Sequence, residues 1–250
     1  MMRPGGRMRF AVFVLALVLA AFAHPANAAG FSDWGTIVVA GDHHAHDGSD
    51  SEVFDNGRRD IGAALQRIGF APDNIVEFST MPSKYSAPAP FNSDPGSIAS
   101  GLWDLSNRTS GGCLLYFTSH GSQDGIIMGD DIFSPKNLLQ IVNNACGSRP
   151  TAIIGSACFS GVFVPVLAGP NRFVLTAARS DRTSFGCGQA DRYTFFDECF
   201  LSSIAATHDF RDLAIEARRC VAAREKKEDV SPPSDPQVAI GAGVTGFPTW

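Results

Sequence analysis

A histidine and a cysteine each follow an apolar run in this sequence. LLYFT (114–118) is followed by the tetrapeptide Ser-His-Gly-Ser, which contains His120, and TAIIGSA (151–157) is followed by Cys158. An imidazole beside a thiol can accept the thiol proton and later protonate a leaving amine. The thiolate formed in this way is a strong nucleophile. The pair therefore indicates covalent acyl-transfer chemistry, provided that the fold brings the two residues together.

Gly121 follows the histidine and fits the same chemistry. Acyl transfer passes through an oxyanion, which backbone N–H groups stabilise at close range, and glycine lets the backbone approach without a Cβ atom. Losing one such donor typically costs about 3 kcal/mol of transition-state stabilisation. We expect the amides of Gly121 and Cys158 to be the two donors. Singly, a buried cysteine or a histidine at a strand end is more often structural, so the combination is what points to catalysis.

Strand-like and helix-like segments alternate along the chain. We predict strands at residues 36–40, 74–78, 114–118, 151–155, 173–176 and 237–240. We predict helices at residues 56–68, 95–106, 135–142, 193–206 and 210–226, and a loop at 81–92. This order predicts an α/β fold with a mostly parallel sheet and helices on both faces. The carboxyl ends of parallel strands meet at one edge, which is where His120 and Cys158 would approach each other.

The N-terminus has the features of a secretory signal peptide. Arg3, Arg7 and Arg9 precede an apolar run at 10–23, and Ala26-Asn27-Ala28 fits a cleavage site. We therefore predict a signal peptide at residues 1–29 and one domain at 30–250, exported to the periplasm or the extracellular space. An uncleaved N-terminal anchor is the alternative. After cleavage we expect no membrane association.

Charge and cysteine content narrow the function classes. The net charge of −5 becomes more negative without the leader, which carries three arginines and no acidic residue, so nucleic acid is not expected as a partner. An oxidising compartment permits disulfides among the six cysteines. If Cys158 stays free, two bridges and one further thiol are possible, but the pairing is open.

Four motifs resemble the legumain, or asparaginyl endopeptidase, family of cysteine peptidases. They are IVVAGD (37–42), YFTSHGSQDG (116–125), GSACFSG (155–161) and LTAARSDRTSFGCG (175–188). The resemblance spans residues 36–188 and implies a three-layer caspase-like sandwich. It also implies that Cys158 is the nucleophile, that His120 is the general base and acid, and that the Gly121 amide helps to form the oxyanion hole. A peptide or protein would be the substrate, and no cofactor is expected.

The resemblance also implies which residues bind substrate. Ser156 stands where legumains carry a pocket glutamate, Ser184 matches a pocket serine, and Asp191 is a candidate for the pocket aspartate. The family's Arg-His pair after the first strand is missing, so cleavage after asparagine is not assumed. The family's histidine-orienting asparagine would fall near Ser51, and we leave that role unassigned. These departures favour one alternative function, a non-catalytic peptide- or protein-binding module on the same fold.

A histidine-rich loop, Asp42-His43-His44-Ala45-His46-Asp47, follows the first predicted strand. Imidazole and carboxylate groups suit zinc or a similar ion. Consecutive loop residues seldom all converge on one ion, however, so we predict no metal here. A peptide-contacting loop at the edge of the active site is the favoured interpretation, because the first strand should end on the same side as His120. A plain solvated loop is the third possibility.

Overall fold

The computed structural model describes residues 1–2 and 30–250. Residues 3–29, which hold nearly all of the predicted signal peptide and its cleavage site, lie outside the described residues. Within these residues, no helix is long and apolar enough to span a membrane.

A seven-stranded sheet runs through the centre of the molecule. Its strands are β1 (Trp34–Ala40), β2 (Ile75–Ser79), β3 (Phe91–Asn92), β4 (Gly112–Thr118), β8 (Thr151–Ser156), β9 (Arg172–Thr176) and β10 (Gln237–Ile240). Their spatial order is β10-β9-β8-β4-β1-β2-β3, and only β10 is antiparallel to its neighbour. The mostly parallel sheet predicted from the sequence is confirmed.

Helices cover both faces of this sheet. They are α1 (Val53–Arg67), α2 (Pro95–Arg108), α3 (Pro135–Cys146), α4 (Val164–Leu167), α5 (Phe195–Ala206) and α6 (Phe210–Lys227). Side chains from α1, α5 and α6 pack with Val38 and Tyr116 on one face. Side chains from α2, α3 and α4 pack with Ile37 and Leu115 on the other. The three-layer sandwich arises because successive strand residues point to opposite faces and both faces are apolar.

The helix starts follow from local sequence. Asp94 precedes a proline, and its carboxylate accepts a hydrogen bond from the Ser97 amide at 2.9 Å, which caps α2. Ser134 caps α3 in the same way, through the Asn137 amide at 3.2 Å. Both starts were predicted, and the helices run two to four residues further than expected. In α3 the extra turn brings Ala145 and Cys146 into the core.

The sequence prediction missed the short helix α4 and two features of the strands. The loop predicted at 81–92 ends in the short edge strand β3. After β4, the chain forms a small antiparallel sheet of β5 (Gly121–Ser122), β6 (Gly125–Met128) and β7 (Asp131–Phe133). These strands are two to four residues long, too short for a period-two pattern to reveal them.

Two disulfides brace the layers. Cys113–Cys146 joins β4 to α3, and Cys199–Cys220 joins α5 to α6. Cys158 and Cys187 are free. The cysteines therefore make two bridges and leave one thiol besides Cys158, a distribution that the sequence allowed without fixing the pairs.

Candidate active site

The carboxyl edge of the sheet brings His120 and Cys158 into one cleft. Strands β4 and β8 are parallel neighbours with Thr118 opposite Ser156, so the residues that follow them emerge side by side. The Ser119 amide donates to the Ser156 carbonyl at 3.1 Å and continues this pairing up to the histidine. The cleft is lined by Phe54, Ser119, His120, Ser156, Ala157, Cys158, Ser184, Phe185, Cys187 and Thr194.

The hairpin after β4 fixes the His120 backbone. The Ser119 hydroxyl donates to the Ile127 carbonyl at 2.7 Å, and the Ile127 amide donates to the His120 carbonyl at 3.0 Å. The imidazole packs edge-to-face against Phe54, with 5.0 Å between ring centroids. The small sheet that sequence reasoning missed therefore holds the segment that carries the histidine.

A backbone carbonyl orients the imidazole. His120 Nε2 lies 3.1 Å from the His44 carbonyl oxygen, which can only accept, so Nε2 carries the hydrogen. In the neutral ring, Nδ1 is then the nitrogen able to accept a proton. Ser51, near which the family's orienting asparagine would fall, accepts a hydrogen bond from the Val53 amide at 3.2 Å at the start of α1.

The chain turns sharply at Cys158. Phe159 adopts a left-handed conformation with φ of 57°, which is unusual for a residue with a bulky side chain. Its amide donates to the Arg182 carbonyl at 2.8 Å, and this bond helps to hold the turn. At Gly161 a Cβ atom would lie 2.5 Å from the Ser180 amide nitrogen, so only glycine fits there. The turn leaves the thiol at the end of the strand, at the mouth of the cleft.

The backbone of Ser184 contacts the Cys158 sulfur. The Ser184 amide donates to Sγ at 3.2 Å, and Sγ lies 3.5 Å from the Ser184 carbonyl oxygen. Burial raises the pKa of the Cys158 thiol, and the hydrogen bond from Ser184 partly offsets that rise. A raised pKa favours the protonated form of this thiol, so a neighbouring base would be needed to form its thiolate.

Gly121 lies directly against the backbone of Cys158. A Cβ atom at this position would overlap the Cys158 carbonyl oxygen and lie 3.0 Å from Ala157 Cβ. Glycine is thus required here by the close approach of two protein backbones. This contact places the chain at 121 beside Cys158, where two amides can share one oxyanion.

The three predicted substrate-binding residues have different surroundings. Ser156 is buried, and its hydroxyl lies 3.1 Å from the Thr194 hydroxyl at the bottom of the cleft. Ser184 forms part of the wall beside Cys158. Asp191 is outside the lining residues, and its carboxylate accepts from the Gly188 amide at 2.8 Å. Of the three predicted residues, Ser156 and Ser184 line the cleft and Asp191 does not.

A buried carboxylate supports the floor of the cleft from below. Asp197 is fully buried and accepts hydrogen bonds from the hydroxyls of Tyr116 at 2.7 Å and Thr118 at 2.6 Å. Thr194 caps α5 by accepting from the Asp197 amide at 3.0 Å. Burial raises the pKa of Asp197, while these hydroxyl donors lower it. The network links β4 to the start of α5.

Cys187 is a cleft residue that sequence reasoning did not assign. Its carbonyl accepts from the His46 amide at 3.1 Å, which ties the histidine-rich loop to the wall of the cleft. The FGCG tetrapeptide (185–188) at the end of the fourth family-like motif was the only available signal. A thiol in such a segment has no distinctive spacing, so its position depended on the fold.

Comparisons with known proteins agree on fold and family. The model of the Peptidase C13 family matches residues 98–227, just over half of the chain and including both His120 and Cys158. No curated protein matches. Caspase-1 from Spodoptera frugiperda is structurally similar, with a TM-score of 0.61 and 14% sequence identity over 85% of this chain and 88% of that one. At this identity the likeness establishes the caspase-like fold alone.

Proposed function

Because this chain belongs to the Peptidase C13 family and is a legumain-like cysteine endopeptidase, we propose that Cys158 and His120 form its catalytic dyad. The observation that supports this most directly is the shared cleft at the ends of β4 and β8. The bond from Nε2 to the His44 carbonyl leaves Nδ1 of His120 as the proton acceptor.

The reaction proceeds in two halves. Nδ1 of His120 takes the Cys158 proton, and the sulfur attacks the scissile carbonyl. The amides of Gly121 and Cys158 stabilise the resulting oxyanion. The imidazolium then gives its proton to the leaving amine, and a thioester remains. Water, deprotonated by His120, hydrolyses the thioester and restores the thiol.

We further propose that the residue before the scissile bond is uncharged. Within the described part of the chain, the cleft around Cys158 is lined by hydroxyl, thiol, aromatic and methyl groups, and its one titratable side chain besides the thiols is His120. Ser156 at its floor carries no charge to pair with lysine or arginine. Burying an unpaired charge in such a cleft is strongly unfavourable. Ser156 and Ser184 would contact the substrate side chain, and Asp191 would support the wall through Gly188.

A fluorogenic peptide library tests both proposals in one experiment. Peptides varied at the residue before the scissile bond are offered to the wild type, His120→Ala and Cys158→Ala. We expect turnover only in the wild type, with uncharged residues preferred over Asp, Lys and Arg by at least about 100-fold in kcat/KM. Turnover by Cys158→Ala would exclude the dyad. A charged preference would exclude the neutral pocket while leaving the dyad in place.

We also propose that the peptidase is exported, with residues 1–29 removed and residues 30–250 forming the mature domain. Two disulfides support this location, because such bonds persist mainly in oxidising compartments. Sequencing the N-terminus of the protein recovered from the cell envelope or medium tests this. A new N-terminus at residue 29 or 30 is expected, whereas recovery with Met1 intact would contradict it.

A further inference from the structure

Three potential metal ligands converge at the carboxyl end of β1. One ligand atom each from Asp42, His43 and His44 lies within 4.8 Å of the others. The two imidazoles face each other, with ring centroids 3.9 Å apart. Two imidazole nitrogens and a carboxylate oxygen form a donor set that suits zinc and neighbouring divalent ions. The expectation that consecutive loop residues would point apart does not hold for these three.

The cluster is accessible to an ion but not freely mobile. The side chain of Asp42 is 15% exposed and that of His44 is 44% exposed. Nδ1 of His43 lies 3.2 Å from the Thr80 hydroxyl, which holds this ring from the neighbouring loop. The three side chains are therefore gathered on a supported turn that opens to solvent.

We propose that Asp42, His43 and His44 bind a divalent transition-metal ion, with zinc as the best match, and that binding there inhibits the peptidase. The inhibition rests on the proposed role of His120, whereas the binding itself does not.

The coupling to the active site runs through the turn itself. Asp42 Oδ1 accepts from the amides of His43 at 2.6 Å and His44 at 3.0 Å, and it lies 2.7 Å from Nδ1 of His44. Two ligands on a tetrahedral zinc ion, each about 2.0 Å from the metal, are about 3.3 Å apart. Coordination by Asp42 and His44 would therefore open this contact and shift the turn. The same turn carries the His44 carbonyl that accepts from His120.

Cobalt tests the binding without relying on activity. Co²⁺ is titrated into the full chain carrying Cys158→Ala, alone and with His43→Gln, His44→Gln or His208→Gln. His208 is a matched control, an exposed histidine whose Nδ1 lies 2.9 Å from the Trp250 carbonyl, far along the chain from the cluster. We expect one equivalent to bind with d–d bands and no thiolate charge-transfer band. His43→Gln and His44→Gln should each lower the affinity for Co²⁺ at least about 100-fold, which is more than the loss typical of changes outside the ligand set. His208→Gln should leave this affinity unchanged.

Zinc inhibition tests the coupling. Turnover of proteins that retain Cys158 is measured with and without zinc, each relative to its own metal-free rate. We expect inhibition in the wild type and in His208→Gln, and at least about 100-fold higher zinc concentrations for the same inhibition in His43→Gln and His44→Gln.

Three results would overturn the proposal. They are the lack of cobalt binding, a thiolate band that assigns the ion to Cys187, and zinc inhibition that persists in both loop variants because zinc acts on Cys158 itself. Cobalt binding without zinc inhibition would refute the coupling to His120. If Cys158→Ala proved active, the dyad would fail, yet the cobalt result would still decide whether the cluster binds metal.

Discussion

Cys158 and Cys187 are the two free thiols in the described part of the chain, and both line the same cleft. Burial raises the pKa of each. The Ser184 amide donates to Cys158 and partly offsets the rise, whereas the nearby charge of Cys158 adds to the rise at Cys187, whose pKa reaches about 11. Two thiols in one cleft thus have different electrostatic surroundings.

The difference shows which surroundings favour Cys158 over Cys187 as the proposed nucleophile. Proximity to the cleft is common to both residues, so it does not select one. Cys158 stands at the end of β8, opposite the end of β4 that carries His120, and receives an N–H donor. Cys187 lies in the loop after β9, and its side chain packs against the cluster of Ala40, Val53 and Phe54. Its main-chain carbonyl accepts a hydrogen bond from the His46 amide. We therefore interpret Cys187 as part of the substrate-facing wall.

The largest expected effect is the loss of kcat/KM when Cys158, but not Cys187, is replaced by alanine. Cys158→Ala should lower kcat/KM by at least about 10⁴-fold, because no covalent intermediate can form. Cys187→Ala should change it by less than about tenfold, since it only reshapes the wall. Steady-state kinetics on the best library peptide measure both values. A comparable loss from Cys187→Ala would show that the two thiols act together and would remove the contrast.

A smaller but still large effect is expected at Gly121. In Gly121→Ala the new methyl group would overlap the Cys158 carbonyl, so the amide of residue 121 must move away from the oxyanion. Loss of one such donor lowers kcat by about 10²–10³-fold with little change in KM. Gly246→Ala is the matched control, because nothing lies within 4 Å of its added Cβ. Unchanged kcat in a folded Gly121→Ala protein would exclude this amide from the oxyanion hole.

The meeting of His120 and Cys158 was predictable because it depends on chain direction. Parallel neighbours end at the same edge, so residues that follow two such strands approach each other whatever the loops do. The apolar runs at 114–118 and 151–155 were sufficient to place these strands. The same strand direction places the loop that begins at Asp42 at this edge of the sheet, because β1 is the other parallel neighbour of β4.

The rest of the site depends on groups that a sequence does not distinguish. The partner that orients His120 is the main-chain carbonyl of His44, and every residue has a carbonyl. The hydroxyl of the buried Ser156 faces that of Thr194, which lies 38 residues away along the chain. Cys187 reaches the cleft through a loop of irregular conformation. The type of a side chain indicates which chemistry it can do. The backbone geometry around it and its burial in the cleft follow only from the packing of the folded chain.

The smallest expected effect concerns the alkylation rates of Cys158 and Cys187, which compare the two thiols directly. With a pKa of about 11, Cys187 is about one part in 1,000 thiolate at pH 8, and its alkylation rate should rise about tenfold per pH unit from 8 to 10. Iodoacetamide should modify Cys158 first at neutral pH, because His120 can accept its proton, and His120→Ala should slow that reaction. Time-resolved mass spectrometry of the two peptides gives both rates.

The pH profile separates electrostatics from simple exposure. If solvent access alone controlled the reaction, Cys158 and Cys187 would respond to pH in parallel, and His120→Ala would leave their rate ratio unchanged. If the base and the Ser184 amide control it, the ratio is largest near neutral pH and shrinks as Cys187 ionises. Equal rates at pH 7 would mean that Cys158 has no activating partner, and the assignment of His120 as its base would fail.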